Sequence, residues 1–549
     1  MSPFLTPLRR ALALGVVAAT IGALVVALAV GGCGSGSTKA AQAPVRSVPL
    51  LTIFEAQSEL YANPGATLDQ LKRLGVDDVK VFMPWGYLAP DSLSRTRPHF
   101  DAADPAAYPA GAWAPYDAIV RAAAARGIGL DLALEAPAPL WATAPGVPKG
   151  TASSFLGTWE PSAKEFGLFV TAAGKRYSGH YKPAGQSVLP RVDFWSIWNE
   201  PNYGQQLAPQ AVDDSTVEVS PVYYRALLNA AWASLQQTGH GHDTILIGEI
   251  APRGETVGDQ PGNFSGMVPL RFIRALYCVN QQLVPLTGTA AAERDCPTTA
   301  AASKAFPQDN PGLFQATGFA FHPYPQGKVA PNIRTVEEPD YADLPAVPEL
   351  EQTLDGAMSA YGSRVRLPLY DTEFGYQTDP PETIDRAISP KQAADYANWA
   401  EYLSWLNPRI VTWDQYLLAD PQPGASSFDT GLEFYGGRHK ALYDAFRMPI
   451  YLPVVEAKSK HALEVWGCVR PVHYVLEHSR QPQFATIQFQ TAAGQRWKTV
   501  TRVPLNDPYG YFETPVNFPS SGNVRMSWTY PRGQGGGQIH SRTVQITLR

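Results

Sequence analysis

Residues 192–202 read VDFWSIWNEPN. The run from Val192 to Ile197 is short, aromatic and β-branched, and it stops at the polar turn Asn199-Glu200-Pro201-Asn202. Such a run reads as a buried strand ending in a turn that a proline prevents from continuing. The same unit recurs on both sides. Upstream, apolar runs of strand length occupy 50–54, 79–82 and 129–134; downstream they occupy 244–248, 318–321, 367–372 and 410–413. Helical patterns lie between them, at 67–74 with Thr67 as its cap, and at 115–125, 162–177, 223–237, 391–406 and 440–446. Strands alternating with helices predict a parallel α/β fold, and eight such units predict a closed (β/α)8 barrel over 48–453. The competing arrangement is a doubly wound open sheet. It is disfavoured because no Gly-rich phosphate turn follows the first strand.

Beyond Pro453 the pattern changes to short alternating segments, 485–489, 524–528 and 544–548, separated by turn residues. That spacing predicts a small β-sandwich over 454–549.

The other end of the chain reads as a targeting segment. Arg9 and Arg10 precede an uncharged apolar run from Ala11 to Val30, followed by Gly31-Gly32-Cys33 and Gly34-Ser35-Gly36-Ser37. A basic start, an apolar stretch and small residues at a cleavage point form an export signal. Val30-Gly31-Gly32-Cys33 resembles the lipobox of bacterial lipoproteins, which implies a signal over 1–33, acylation at Cys33 and a flexible tether over 34–47. An uncleaved membrane anchor is the alternative, since about 20 apolar residues can span a bilayer. Either reading puts the rest of the chain outside the membrane, as a cell-surface lipoprotein or a secreted protein.

Export bears on the four cysteines. Cys278 and Cys296 are close in sequence and lie between strands, so a disulfide is expected in an oxidising compartment, with two unrelated buried thiols as the alternative. Cys468 has no evident partner and reads as a core residue. No Cys-x-x-Cys pair and no His-x-x-x-His cluster occurs, so neither a zinc site nor a redox motif is indicated and no cofactor is expected. The net charge of -5 gives no footprint for nucleic acid. The 13 tryptophans suit either sugar-binding faces or a large aromatic core.

Active sites of such barrels form at the C-terminal ends of the strands. The polar residues just after the expected strands are Glu55, Glu135, Glu200, Glu249, His322, Glu373 and Asp414, with Trp85, Trp141, Trp198 and Trp413 nearby. Converging carboxylates are what glycoside cleavage needs. One protonates the leaving oxygen, and the other attacks the sugar or activates water. The pattern supplies candidates without selecting a pair.

Resemblance selects the pair. Residues 194–202 (FWSIWNEPN) resemble the strand-four motif of glycoside hydrolase clan A, 371–375 (DTEFG) its strand-seven nucleophile motif, and 321–324 (FHPY) its strand-six segment. Within the clan the sequence is similar to families 39 and 5. The resemblance spans the barrel and implies a retaining glycosidase acting on a carbohydrate, with Glu200 as general acid/base and Glu373 as nucleophile. It further implies that Asn199 binds the sugar 2-hydroxyl, that His322 and Tyr324 orient the carboxylates, and that Trp413 floors the cleavage subsite. Trp85 and Glu249 are further candidate substrate-binding residues at the mouth, and a monomeric enzyme is expected. One departure stands out: the clan commonly carries an arginine on strand two, where this chain has Lys80. Lys80 either holds Glu373 ionised or lies on the surface in a shifted register; lysine lacks the arginine fork in either case.

Overall fold

Eight parallel strands pair in chain order and close on themselves: β1 (Leu51–Glu55), β2 (Asp78–Pro84), β3 (Gly129–Glu135), β4 (Phe194–Ile197), β5 (Thr244–Ile250), β6 (Gly318–Phe321), β7 (Leu369–Asp371) and β8 (Ile410–Tyr416). The computed structural model describes residue 46 and residues 48–549, apart from 213–214, 256–261, 335–338, 424–427, 460, 480, 495 and 532–536. The expected export signal, Cys33 and most of the tether lie outside the described residues. Among the described residues no helix is long and apolar enough to cross a membrane.

The strand period of two decides what faces the barrel axis. On β2, Val79, Val81 and Met83 point outward into the apolar layer under the helices, and on β3 Leu130, Leu132 and Leu134 do the same. The alternate positions face inward. Lys80 is registered against Glu55 of β1 and Asp131 of β3, which sets a polar row across the interior. A separate apolar cluster of Ile53, Phe194, Leu246 and Ala320, backed by Tyr370, fills the barrel. Phe194 opens β4, six residues before Glu200, so the apolar fill lies below the mouth.

Helix ends follow from local chemistry. The helix after β3 covers Ala163–Arg176, and the hydroxyl of Ser162 accepts the Glu165 amide at its start. The helix expected from Thr67 begins earlier. It covers Pro64–Leu74, with Asn63 accepting the Ala66 amide and Pro64 in the first turn. Thr67 caps nothing; its hydroxyl donates to the Glu59 and Asn63 carbonyls. A proline in the first turn costs no hydrogen bond, because those amides have no helical partner.

The C-terminal region contains β9 (Ile450–Tyr451), β10 (Glu456–Ala457), β11 (Leu463–Cys468), β12 (Phe484–Thr491), β13 (Lys498–Pro504), β14 (Tyr511–Val516), β15 (Gly522–Thr529), β16 (Gln538–His540) and β17 (Val544–Leu548). One sheet runs β10-β17-β15-β12-β13 with β16 on β15, and the other runs β14-β11-β9. Their shared core holds Val465, Ile487, Phe489, Val524, Met526 and Ile546. This sandwich-like region is fastened to the barrel by buried polar contacts. Arg470 grips Glu401 with both oxygens at 2.9 Å, and Tyr511 donates to the same carboxylate at 2.8 Å. Cys278 and Cys296 are joined as a disulfide, while Cys468 is free and buried in β11.

Candidate active site

β4 ends at Ile197, and the next three residues turn sharply. Trp198 and Glu200 both have positive φ, 69° and 39°. Non-glycine residues in that region store strain, and it persists only where surrounding contacts fix it. Here the Glu200 amide donates to the Glu249 carbonyl at 2.8 Å, and the Trp198 amide donates to the Leu134 carbonyl at 2.8 Å. Asn202, fully buried, ties the turn to the next strand: its side chain accepts the Ala251 amide and donates to the Met267 carbonyl, both at 2.9 Å. The outcome is a Glu200 side chain that is 20% exposed at the mouth.

β5 is interrupted in a related way. Its pairing with β6 shifts between Ile247 and Ile250, where Gly248 has φ 100° and Glu249 has φ 47°. Gly248 is required there, because a Cβ would sit 2.5 Å from the Ala320 carbonyl oxygen. The Tyr224 hydroxyl accepts the Gly248 amide at 2.8 Å and donates to the Ile197 carbonyl at 3.0 Å. This bulge turns Glu249 into the barrel, as bulges beside active sites commonly do.

The groups converge. Lys80 Nζ lies 2.8 Å from Glu249 Oε2, 3.1 Å from Glu373 Oε1 and 3.4 Å from Glu55 Oε1, with no solvent exposure. Of the two readings of Lys80, the structure takes the inward register. His322 Nδ1 is 3.0 Å from Glu200 Oε1 and 3.5 Å from Glu373 Oε2, and its Nε2 is 2.9 Å from Glu249 Oε2. Tyr324 donates to Glu373 Oε2 at 3.1 Å. Glu200, His322 and Glu373 each place one atom within 4.8 Å of the others. They are the one such group among the described residues able to hold a metal, but Lys80 already supplies a cation against Glu373.

Charges in this cavity are set by burial and pairing together. Burial alone would raise the Glu249 carboxyl; the Lys80 charge and then His322 outweigh it and hold Glu249 at about 2. Burial opposes a charge on His322, yet Glu373 and the hydrogen bonds to Glu200 and Glu249 lift it to about 10. Lys80 is held well above its usual range, since Glu249, Glu373 and Glu55 overcome its desolvation. Burial pushes Glu55, Asp131, Glu135, Asp371 and Asp414 well above the usual carboxylate range.

Not every expected residue joins the cluster. Trp85 is a core residue, 1% exposed and stacked on Phe169 against Phe166 and Trp141. Trp413 is 2% exposed with its ring 4.6 Å from Phe374, so little of its face is open. Glu249 is fully buried, with its three protein donors all on Oε2, so it is not exposed to a substrate at the mouth. Asn199 is buried beside Glu200 with its Oδ1 unbonded. Thr372, which donates to Glu249 at 3.0 Å, was not singled out from the sequence; its place one residue before Glu373 on an inward register could have marked it. Phe428 was missed as well: its ring stands 5.2 Å from Tyr324, on a loop the strand pattern does not address.

No family model matches the chain, and no curated protein does. Among solved structures it is similar to a family 39 glycoside hydrolase from Bacteroides cellulosilyticus, at 13% identity over 86% of this chain and 79% of that one, with a TM-score of 0.42. It is similar to a family 1 β-glucosidase from Thermotoga maritima, at 11% identity over 72% of this chain and 94% of that one, TM-score 0.43. An endo-β-1,4-mannanase from Thermotoga petrophila also matches, at 11% identity over 92% of this chain and 98% of that one, TM-score 0.38. The barrel assignment rests on the chain's own strand pairing.

Proposed function

We propose that the protein is a retaining glycoside hydrolase that works through Glu200 and Glu373. The observation that carries this reading is the meeting of two glutamates from the ends of β4 and β7, with carboxylate oxygens within 4.8 Å of each other across His322. Retaining enzymes keep their carboxyl groups about 5–5.5 Å apart, whereas inverting enzymes leave about 6.5–9.5 Å for a water. Glu373 attacks the anomeric carbon while Glu200 gives a proton to the departing oxygen. Water then enters, loses its proton to Glu200 and releases the sugar from Glu373. Lys80 and Tyr324 fix both oxygens of Glu373 for the attack. Asn199, beside the acid/base, takes the sugar 2-hydroxyl.

Glu200→Gln is expected to cut turnover by about 10²–10⁴-fold, the usual worth of a positioned acid/base. Glu373→Gln removes the nucleophile and is expected to abolish turnover, with both variants folded by circular dichroism. Full activity in either variant removes that residue from the reaction. Sugar binding without any turnover in the unmutated protein would favour a carbohydrate-binding barrel instead. The export segment and Cys33 make this a surface-anchored enzyme in the same proposal, and loss of membrane association in Cys33→Ser is the corresponding expectation.

A further inference from the structure

Glu249 is the buried hub of the site, and the reaction outlined above gives it no task. One oxygen, Oε2, takes three donors: Lys80 Nζ at 2.8 Å, His322 Nε2 at 2.9 Å and Thr372 Oγ1 at 3.0 Å. Substrate has no access to it, because the side chain is fully buried. Its backbone is held at positive φ inside the β5 bulge, and Gly248 and Tyr224 maintain that bulge. A strained residue kept this way aims its side chain for a purpose that packing alone does not require.

The consequence falls on His322. An ionised carboxylate only accepts hydrogen bonds, so Glu249 fixes a hydrogen on Nε2. Nδ1 is then the ring nitrogen free to give or take a proton, and it faces Glu200 Oε1 at 3.0 Å. We propose that Glu249 is a positioning residue that makes His322 the proton reservoir of Glu200, with one transferable proton shared between Glu200 Oε1 and His322 Nδ1. This rests on the glycosidase reading above. In the first half-reaction the Glu373–carbon bond forms and the glycosidic carbon–oxygen bond breaks. The shared proton passes through Glu200 to the departing oxygen, leaving His322 neutral with its Nε2 hydrogen still on Glu249. In the second, water attacks the same carbon, its proton returns to the Glu200–His322 pair, and the bond to Glu373 breaks. Protons and charge balance with no further reactant.

The surroundings agree with this division. Facing Glu249 and His322 are Glu55 from β1, Lys80 from β2, Asp131 and Glu135 from β3, Glu200 after β4, Asp371 from β7 and Glu373 after it. Burial raises Glu55 and Asp131, whereas Lys80 and His322 hold Glu249 at about 2, and it is Glu249 that meets Nε2 at 2.9 Å.

The test is a leaving-group series: the dinitrophenyl, nitrophenyl and methyl glycosides of a sugar the unmutated protein hydrolyses. Departure of dinitrophenolate needs little protonation, whereas methanol needs a full proton. Glu249→Gln is expected to lose at least about tenfold more kcat/KM on the methyl than on the dinitrophenyl glycoside, and to move the alkaline limb of the pH profile downward. An equal loss across the series, or no loss, overturns the proposal. Glu200→Gln is run beside it. A flat series there overturns the glycosidase assignment itself and so separates the two failures. Should Glu249→Gln not fold, nitrogen-15 NMR of histidine in the unmutated protein decides, with His322→Gln assigning the signal. Titration confined to Nδ1, with Nε2 protonated throughout, is expected; titration at Nε2 overturns the proposal.

Discussion

Replacing Lys80 with methionine tests the electrostatic design of the barrel interior. The ammonium is fully buried and stands within 3.4 Å of Glu55, Glu249 and Glu373. Methionine keeps most of the unbranched side chain and removes the charge. Glu249, itself fully buried, then keeps only His322 and Thr372 as donors. Breaking a buried pair by removing one partner costs about 3–5 kcal/mol, because the remaining charge stays desolvated. The cost depends on pH in a direction the structure fixes. Glu249 is held at about 2 in the fold, below its ordinary 4.5, chiefly by Lys80 against the effect of burial. A carboxyl depressed in this way contributes stability above 4.5 and loses it as pH falls through 2. The stability gap between the unmutated protein and Lys80→Met is therefore widest near neutral pH and narrows as pH drops below 4.5. Urea unfolding followed by tryptophan fluorescence at several pH values measures the gap. A gap under about 1 kcal/mol at neutral pH, or one that fails to narrow in acid, refutes the reasoning.

Gly248→Ala is expected to destabilise the fold by about 2 kcal/mol or more and to depress kcat, since φ is 100° and the new Cβ meets the Ala320 carbonyl; unchanged melting and turnover contradict this. Arg470→Met is expected to cost about 3–5 kcal/mol by leaving Glu401 buried without its partner, with kcat of the remaining folded protein unchanged. Chemical denaturation together with steady-state kinetics checks both parts of that expectation.

The barrel was legible because its strands are apolar runs bounded by turn residues, a signal that survives without tertiary context. Positions 192–202 show it well: the strand Phe194–Ile197 and the turn carrying Glu200 lie where the pattern places them. The charged cluster was partly legible. Glu200, His322 and Glu373 follow from position after a strand and Tyr324 from the family resemblance, and the structure brings them together. Glu249 was visible as a residue but its environment was not. A bulge shifts the register past Ile247, and nothing in a strand pattern announces a positive φ at a glutamate. Trp85 illustrates the opposite limit. A tryptophan after a strand reads equally as a sugar platform or as core, and only its packing on Phe166, Phe169 and Trp141 distinguishes them. In the C-terminal region the alternating segments in β12, β15 and β17 were clear. The half-buried β13 and β14 carry weaker alternation, and the order of the two sheets depends on pairings far apart in sequence.

The central claim is a double displacement through Glu373 assisted by Glu200, and the anomeric configuration of the first-formed product tests it most directly. Proton NMR taken during the first turnovers on a hydrolysed glycoside, before mutarotation, reads that configuration. Carboxylate oxygens within 4.8 Å of each other predict that the product keeps the anomeric configuration of the substrate. A product of inverted configuration contradicts the account, because it means that water, not Glu373, attacks the sugar.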